Sequence, residues 1–434
     1  MGTRRPLPGT ERRSHTDRTA WTRTVSAPAV SPSAAWHYGI EWSEITLATS
    51  LSRKPWQIPV NDEAVDDLRT RLGRVRWPDE INDAAWGWGV DGSYLRHVVE
   101  EWARFDWHRK AAELNEIPQF MADVEGHRLH FVHIVGAPET PGHARLPLLL
   151  LHGWPGSFVE MLSAVPSLTA AAASRGLVLD VVIPSLPGFG YSARPTAPGT
   201  SPEVTARLFH TLMEGLGHSR YAVQGGDIGA GVAMRMSLRE PGAVIGVHLN
   251  FPSFRFEGGT EEPPDGPGPR YDARREAWAR EEGGYSHMHA TRPQTLGYAL
   301  ADSPVGMAAW IVEKFHAWTD RSATGGAVPV GLDEILTNLS VYWFSQTITS
   351  SMRMYKESAA DPLVLSPRRR IEVPVGVAAF PYELPIQPRE RVEQAANLVR
   401  WTDMPRGGHF AALEAPDLLA ADVIAFFAGL PAAR

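Results

Sequence analysis

The apolar positions along the chain change their period twice. Between residues 61 and 105 they recur at helical spacing. Val65, Leu68 and Leu72 mark one face of a helix over Asn61–Leu72, with Asn61 as N-cap, and Leu95, Val98, Val99 and Trp102 mark another over Ser93–Phe105. A Pro-bearing break, VRWPDEIND, separates them. From residue 127 the pattern becomes that of strands. His127–Val135 alternates, and Leu146–Leu151 is a short apolar run ended by a Gly/Pro turn, as a buried parallel strand requires. Further strands are predicted at Val178–Pro184, Arg220–Gln224, Ile245–Leu249, Val375–Ala379 and Leu398–Trp401, and helices at Pro202–Leu216, Ile228–Arg239 and Pro388–Ala396. Between about 255 and 365 the strand spacing breaks. A Gly/Pro loop, EGGTEEPPDGPGP, leads into helical stretches around Ala273–Glu282, Met307–Trp318 and Ile335–Met354.

Strands alternating with helices predict an α/β fold with a mostly parallel, doubly wound sheet. The helical stretch between two late strands has the shape of a cap. The organisation that follows is a flexible Arg/Pro/Ser-rich extension over residues 1–45, a helical region over 46–126, a core in two parts over 127–254 and 366–434, and the cap over 255–365. Pro28 and Pro32 interrupt the only apolar run that could act as a signal peptide, and no run approaches the ~20 residues of a membrane-spanning helix.

Composition narrows the chemistry. The 434 residues include no Cys, which excludes thiol nucleophiles, iron–sulfur sites and disulfide scaffolds and suits a cytoplasmic setting. The net charge of −7 argues against nucleic acid as a partner. With 39 Gly, 36 Pro and 15 Trp, the chain suits a turn-rich enzyme with an aromatic-lined apolar cavity. The pair His287 and His289 lacks supporting carboxylates at ligand spacing, so no metal and no cofactor is expected.

The strand YAVQ runs into Gly225-Gly226-Asp227-Ile228-Gly229, and the helix AGVAMRMSL runs out of it. This is the G-x-S-x-G nucleophile-elbow pattern with Asp in the Ser position. Read alone, it competes with a helix-capping Asp and with a dinucleotide loop, although the latter's third small residue would fall on Met234. Two later residues favour the elbow. Glu383 stands in FPYEL after one predicted strand, and His409 stands in RGGHF after the next, in the chain order nucleophile, acid, His of the α/β-hydrolase fold. The loop His152-Gly153-Trp154-Pro155-Gly156-Ser157 closes an early strand, where this fold draws one oxyanion amide; Trp154 and Ile228 are the expected donors, and His152 is expected to be structural.

On these residues the chain resembles the epoxide hydrolases of the α/β-hydrolase fold, in the microsomal-type subgroup with an N-terminal helical region. The matching pieces are Trp77-Pro78, His152–Ser157, Gly225–Gly229, Asp302–Gly306, Phe380–Leu384 and Gly407–Phe410, and the likeness covers roughly residues 55–430. The resemblance implies two cap tyrosines, which fall on Tyr285 and Tyr355. The subgroup's membrane-anchoring helix is unmatched; the Arg-rich segment stands in its place.

The implied activity is conversion of a small apolar epoxide and water to a vicinal diol, and detoxification is one role it would fit. An Asp nucleophile suits an sp³ electrophile, because the resulting ester has a carbonyl carbon that water can attack. Asp227 is then the nucleophile, His409 the base, Glu383 the residue that orients it, and the tyrosines the proton donors. Two other readings stand: a haloalkane dehalogenase, which shares the Asp nucleophile, and a non-catalytic binder of apolar ligands. A homodimer is among the assemblies this reading admits.

Overall fold

The computed structural model describes residues 51–82, 84–136, 142–259 and 262–431. The extension expected over residues 1–45 lies outside them. Eleven strands are described: β1 (Arg53–Pro55), β2 (Gln119–Val124), β3 (His127–Val135), β4 (Ala144–Leu151), β5 (Leu177–Pro184), β6 (Tyr221–Gly225), β7 (Val244–Leu249), β8 (Arg255–Phe256), β9 (Val364–Leu365), β10 (Ile371–Ala379) and β11 (Ala396–Asp403). Nine form one sheet in the order β1-β2-β3-β5-β4-β6-β7-β10-β11. Pairing is antiparallel from β1 to β5 and parallel from β5 to β11. Every residue of β6 and β7 is buried, because helices cover both faces; their sequences therefore show no clean alternation.

The parallel strands all point one way, so their carboxyl ends gather at one edge. Asp227 follows β6, Glu383 follows β10, His409 follows β11 and Trp154 follows β4. A doubly wound sheet binds ligands at that edge.

The cap enters between β7 and β10. It contains the helices Pro267–Glu281, Gly284–Thr291, Pro293–Asp302, Pro304–Ala317, Leu332–Ser345 and Ile348–Ala360. Its two ends are drawn together by parallel pairing of β8 with β9. The DSPVG motif is a helix start: Ser303 Oγ accepts from the Gly306 N–H at 3.1 Å, and Pro304 takes the first helical position, where no N–H is needed.

Three expectations need correction. The region 46–126 is not wholly helical, because β1 and β2 extend the sheet edge. The signal was Glu125-Gly126, a two-residue turn with φ of 52° and 78° at its two positions, which folds β2 back on β3 as a hairpin. The expected helix Ile335–Met354 is two helices. Exposed Gln346 adopts φ 54° between them, and the Gln346 and Thr347 N–H groups close the first helix on Trp343 and Tyr342. The Gly/Pro loop is shorter than expected, since Pro267 already opens a helix.

The N-terminal helices Asp62–Leu72, Gly92–Arg104 and Trp107–Asn115 brace the cap. Trp102 Nε1 donates to Ser340 Oγ at 2.9 Å, Lys110 pairs with Asp333 at 2.6 Å, and Phe344 stacks on Trp107. Trp343 meets Trp102 edge-on. Among the described residues, no helix is long and apolar enough to cross a membrane.

Candidate active site

Asp227 occupies a sharp turn with φ 46°, a left-handed conformation that an L-residue adopts at a cost. The flanking glycines make the turn fit. A Cβ on Gly229 would lie 2.3 Å from the Leu151 carbonyl oxygen, and one on Gly225 would lie 2.6 Å from that of Gly229. Strand and helix therefore approach more closely than any other residue type allows, and Asp227 is pushed out at the sheet edge.

Its two oxygens have different neighbours. Oδ1 accepts the Trp154 N–H at 2.8 Å. Oδ2 faces His409 Nε2 at 3.6 Å. Ile228 lies in the first turn of the helix Asp227–Arg239, where an N–H has no acceptor within the helix. The Trp154 amide thus meets the carboxylate, and the Ile228 amide, next to Asp227 in the chain, has no acceptor within the helix.

His409 Nδ1 meets Glu383 Oε1 at 2.5 Å. A carboxylate only accepts, so Nδ1 carries the proton and Nε2 is turned toward Asp227. Glu383 Oε1 also accepts the Leu384 N–H at 2.8 Å, which fixes the carboxylate. Burial alone would push the His409 imidazole down. The charges of Glu383 and Asp227 and the bond to Glu383 outweigh it, and the group is pushed up to about 9. Esterifying Asp227 would remove one of those charges and lower the imidazole again.

Tyr285 and Tyr355 come from different cap helices and stand with ring centroids 5.8 Å apart. Trp154 stacks on Tyr285 at 5.2 Å and meets Tyr355 edge-on at 6.0 Å. Trp318 lies 5.1 Å from both Tyr285 and His409. Burial pushes both phenols up, and the charge of Asp227 adds to the effect, so both remain protonated donors at neutral pH. The Tyr355 hydroxyl is buried and faces that of Tyr285, with which it interacts. All seven residues singled out in the sequence therefore gather between the sheet edge and the cap.

The comparisons with known proteins bear on what this arrangement serves. The family model described as "Epoxide hydrolase N terminus" matches residues 53–161, and that for the alpha/beta hydrolase fold matches 147–275. "Epoxide hydrolase 1" of Oryctolagus cuniculus is 37% identical over 86% of this chain and 88% of its own length. The chain belongs to the epoxide hydrolase family. Solved structures agree with that membership. The juvenile hormone epoxide hydrolase of the silkworm Bombyx mori superposes with a TM-score of 0.75 at 32% identity, covering 87% of this chain and 94% of that one. The Aspergillus niger epoxide hydrolase gives 0.74 at 32% identity, covering 87% and 96%. The fold is thus the α/β-hydrolase fold, and the protein is a hydrolase.

Around the core of this epoxide hydrolase lie residues that sequence reasoning passed over. The His409 loop is tied to the base of the cap: the His409 N–H donates to the Trp318 carbonyl at 2.9 Å, and Asp320 Oδ2 accepts the Gly407 N–H at 2.9 Å. Glu414 accepts from the Phe410 and Asp320 amides, at 3.0 and 2.7 Å, and burial pushes its carboxyl up to about 7. His289 Nε2 accepts from Trp310 Nε1 at 3.0 Å, so its free nitrogen is the protonated one; burial pushes the group down to about 3 and keeps it neutral. His152 is engaged with backbone on both sides, at Gly153 O and Leu186 N, and is structural.

Proposed function

We propose that the enzyme opens an epoxide through a covalent alkyl ester on Asp227 and releases a vicinal diol when His409 drives water onto that ester. The observation that carries this reading is the division of labour at the Asp227 carboxylate, with Oδ1 against the Trp154 amide and Oδ2 free toward the cap and His409. Oδ2 attacks a ring carbon, and the C–O bond of the epoxide breaks. The developing alkoxide takes a proton from Tyr285 or Tyr355. Water then gives a proton to His409 Nε2 and attacks Cγ of Asp227. The resulting oxyanion at Oδ1 is held by the Trp154 and Ile228 amides, each worth roughly 10²–10³ in rate. Collapse breaks the bond between Cγ and the alkylated oxygen. That oxygen leaves in the diol with the proton from His409, and the water's remaining proton, left on the Asp227 carboxyl, returns to the tyrosinate, so that carboxylate, imidazole and phenol are all regenerated. Glu383 holds the imidazole in one tautomer throughout and balances its charge.

Two protonated phenols near the nucleophile favour an epoxide over a haloalkane, since a halide leaves without a proton. Purified enzyme is expected to form diol from styrene oxide and to release no halide from a haloalkane of similar size. Halide release without diol formation would overturn the assignment.

The cap donors give a further expectation. Tyr355→Phe removes a general acid and should lower the alkylation rate constant by about 10²-fold. Because the cost of burying the hydroxyl offsets its interaction with Tyr285, its loss should leave the melting temperature close to that of the native enzyme. A fall in both activity and melting temperature would instead make Tyr355 a packing residue.

A further inference from the structure

Next to the nucleophile lies a void of about 10 Å³, room for roughly one water, in which no cap residue takes part. Its walls come from the two parts of the core and include Asp227, His409, Glu160, Gln224 and Asn250. Neither Tyr285 nor Tyr355 lines it, so it is distinct from the space under the cap where the epoxide must lie to reach the phenols.

The walls of this chamber are mostly apolar, yet polar groups that packing does not explain are buried around it. Gln224, 1% exposed, donates from Nε2 to Asn250 Oδ1 at 3.0 Å, while its Oε1 is buried with no partner. An unpaired buried carbonyl is costly, and a bound water would relieve it. Glu160 reaches in from the helix Phe158–Leu162, and its Oε2 lies 1.9 Å from the point where a Cβ on Gly156 would stand. The absence of a side chain at Gly156 is what lets the carboxyl occupy this space. Among the described residues no side chain hydrogen-bonds that carboxyl. Burial pushes it up to about 8, with the charge of Asp227 adding and His409 opposing.

We propose that this chamber holds the hydrolytic water, and that Glu160 is a positioning residue which, with Gln224 Oε1, orients that water between His409 and the ester carbon. The inference rests on the two-step reading above. Once the alkyl group is attached to Asp227 it fills the cap side, so water must approach from the core side. A water there has two protons to place. One passes to His409 Nε2, and the other is held by Gln224 Oε1 or a Glu160 oxygen, leaving a lone pair for Asp227 Cγ. Glu160 exchanges no proton in the cycle and acts in either charge state.

The test separates the two steps in single-turnover experiments on styrene oxide, with tryptophan fluorescence for alkylation and quenched intact mass for the ester. Glu160→Leu keeps the volume and removes the acceptor. The alkylation rate constant should stay within about twofold, and hydrolysis should slow by roughly 30-fold, so that ester accumulates. Glu160→Gln, which keeps an acceptor oxygen, should recover most of the hydrolysis rate. Should Glu160→Leu not fold, Gln224→Met is expected to give the same split. Hydrolysis within threefold of the native rate, or both steps falling by one common factor, would overturn the proposal. If His409→Gln accumulates ester and Glu160→Leu does not, the covalent route stands and only the water site falls; if His409→Gln accumulates none, the route itself falls.

Discussion

Replacing Asp227 with Asn is expected to lower kcat for diol formation by at least ~10⁴-fold and leave the fold intact. The size of the loss follows from the chemistry. An amide oxygen is too weak a nucleophile to open the epoxide at a useful rate, and among the described residues no other carboxylate accepts from the Trp154 amide. The fold survives because Asn tolerates the left-handed turn at φ 46° nearly as well as Asp, and its carbonyl can still accept from the Trp154 N–H. Steady-state turnover, intact mass after incubation with epoxide, and a thermal melt check the three parts. Turnover within tenfold of the native enzyme would remove Asp227 from the mechanism.

His409→Gln is expected to act on one step only. Alkylation needs the Asp227 carboxylate and the phenols, and none of these depends on the imidazole as a base. Hydrolysis needs Nε2, which Glu383 holds toward Asp227 through the 2.5 Å contact at Nδ1. One equivalent of epoxide should be consumed in a burst, after which turnover continues at least ~10³-fold more slowly than in the native enzyme. The mass of the protein should rise by that of one epoxide. A variant that loses the burst together with turnover would place His409 in the first step. The native imidazole is held at about 9 partly by the negative charge that alkylation removes. Ester formation removes that charge and so lowers the imidazole toward its neutral form as a base is required.

Much of this site was legible in the sequence for physical reasons that can be named. The elbow was legible because only glycine fits at 225 and 229, where a Cβ would meet backbone at under 3 Å. Glu383 and His409 were legible because parallel strands end at one edge, so chain order after β10 and β11 carries spatial information. Tyr285 and Tyr355 were legible only through family likeness, since cap packing leaves no period that aims a side chain at the sheet. Gln346 hid a helix break, as neither Gly nor Pro marks it and apolar residues continue on both sides. The hairpin from β2 to β3 was written in Glu125-Gly126, but the helical period of the segment before it masks the strand. Glu160 and Gln224 gave no signal at all. Each is an ordinary polar residue beside a motif, and its meaning depends on a cavity that exists only after β4, β6 and β11 are brought together.

The central claim is that an oxygen of Asp227 itself enters the product. It is tested most directly by a single turnover in ¹⁸O-water, with enzyme in excess over epoxide and both diol and Asp227 peptide read by mass spectrometry. The diol should carry no label, and the label should appear in the Asp227 carboxylate. Labelled diol with an unlabelled Asp227 would mean that water attacks the epoxide directly, and the covalent account would be wrong.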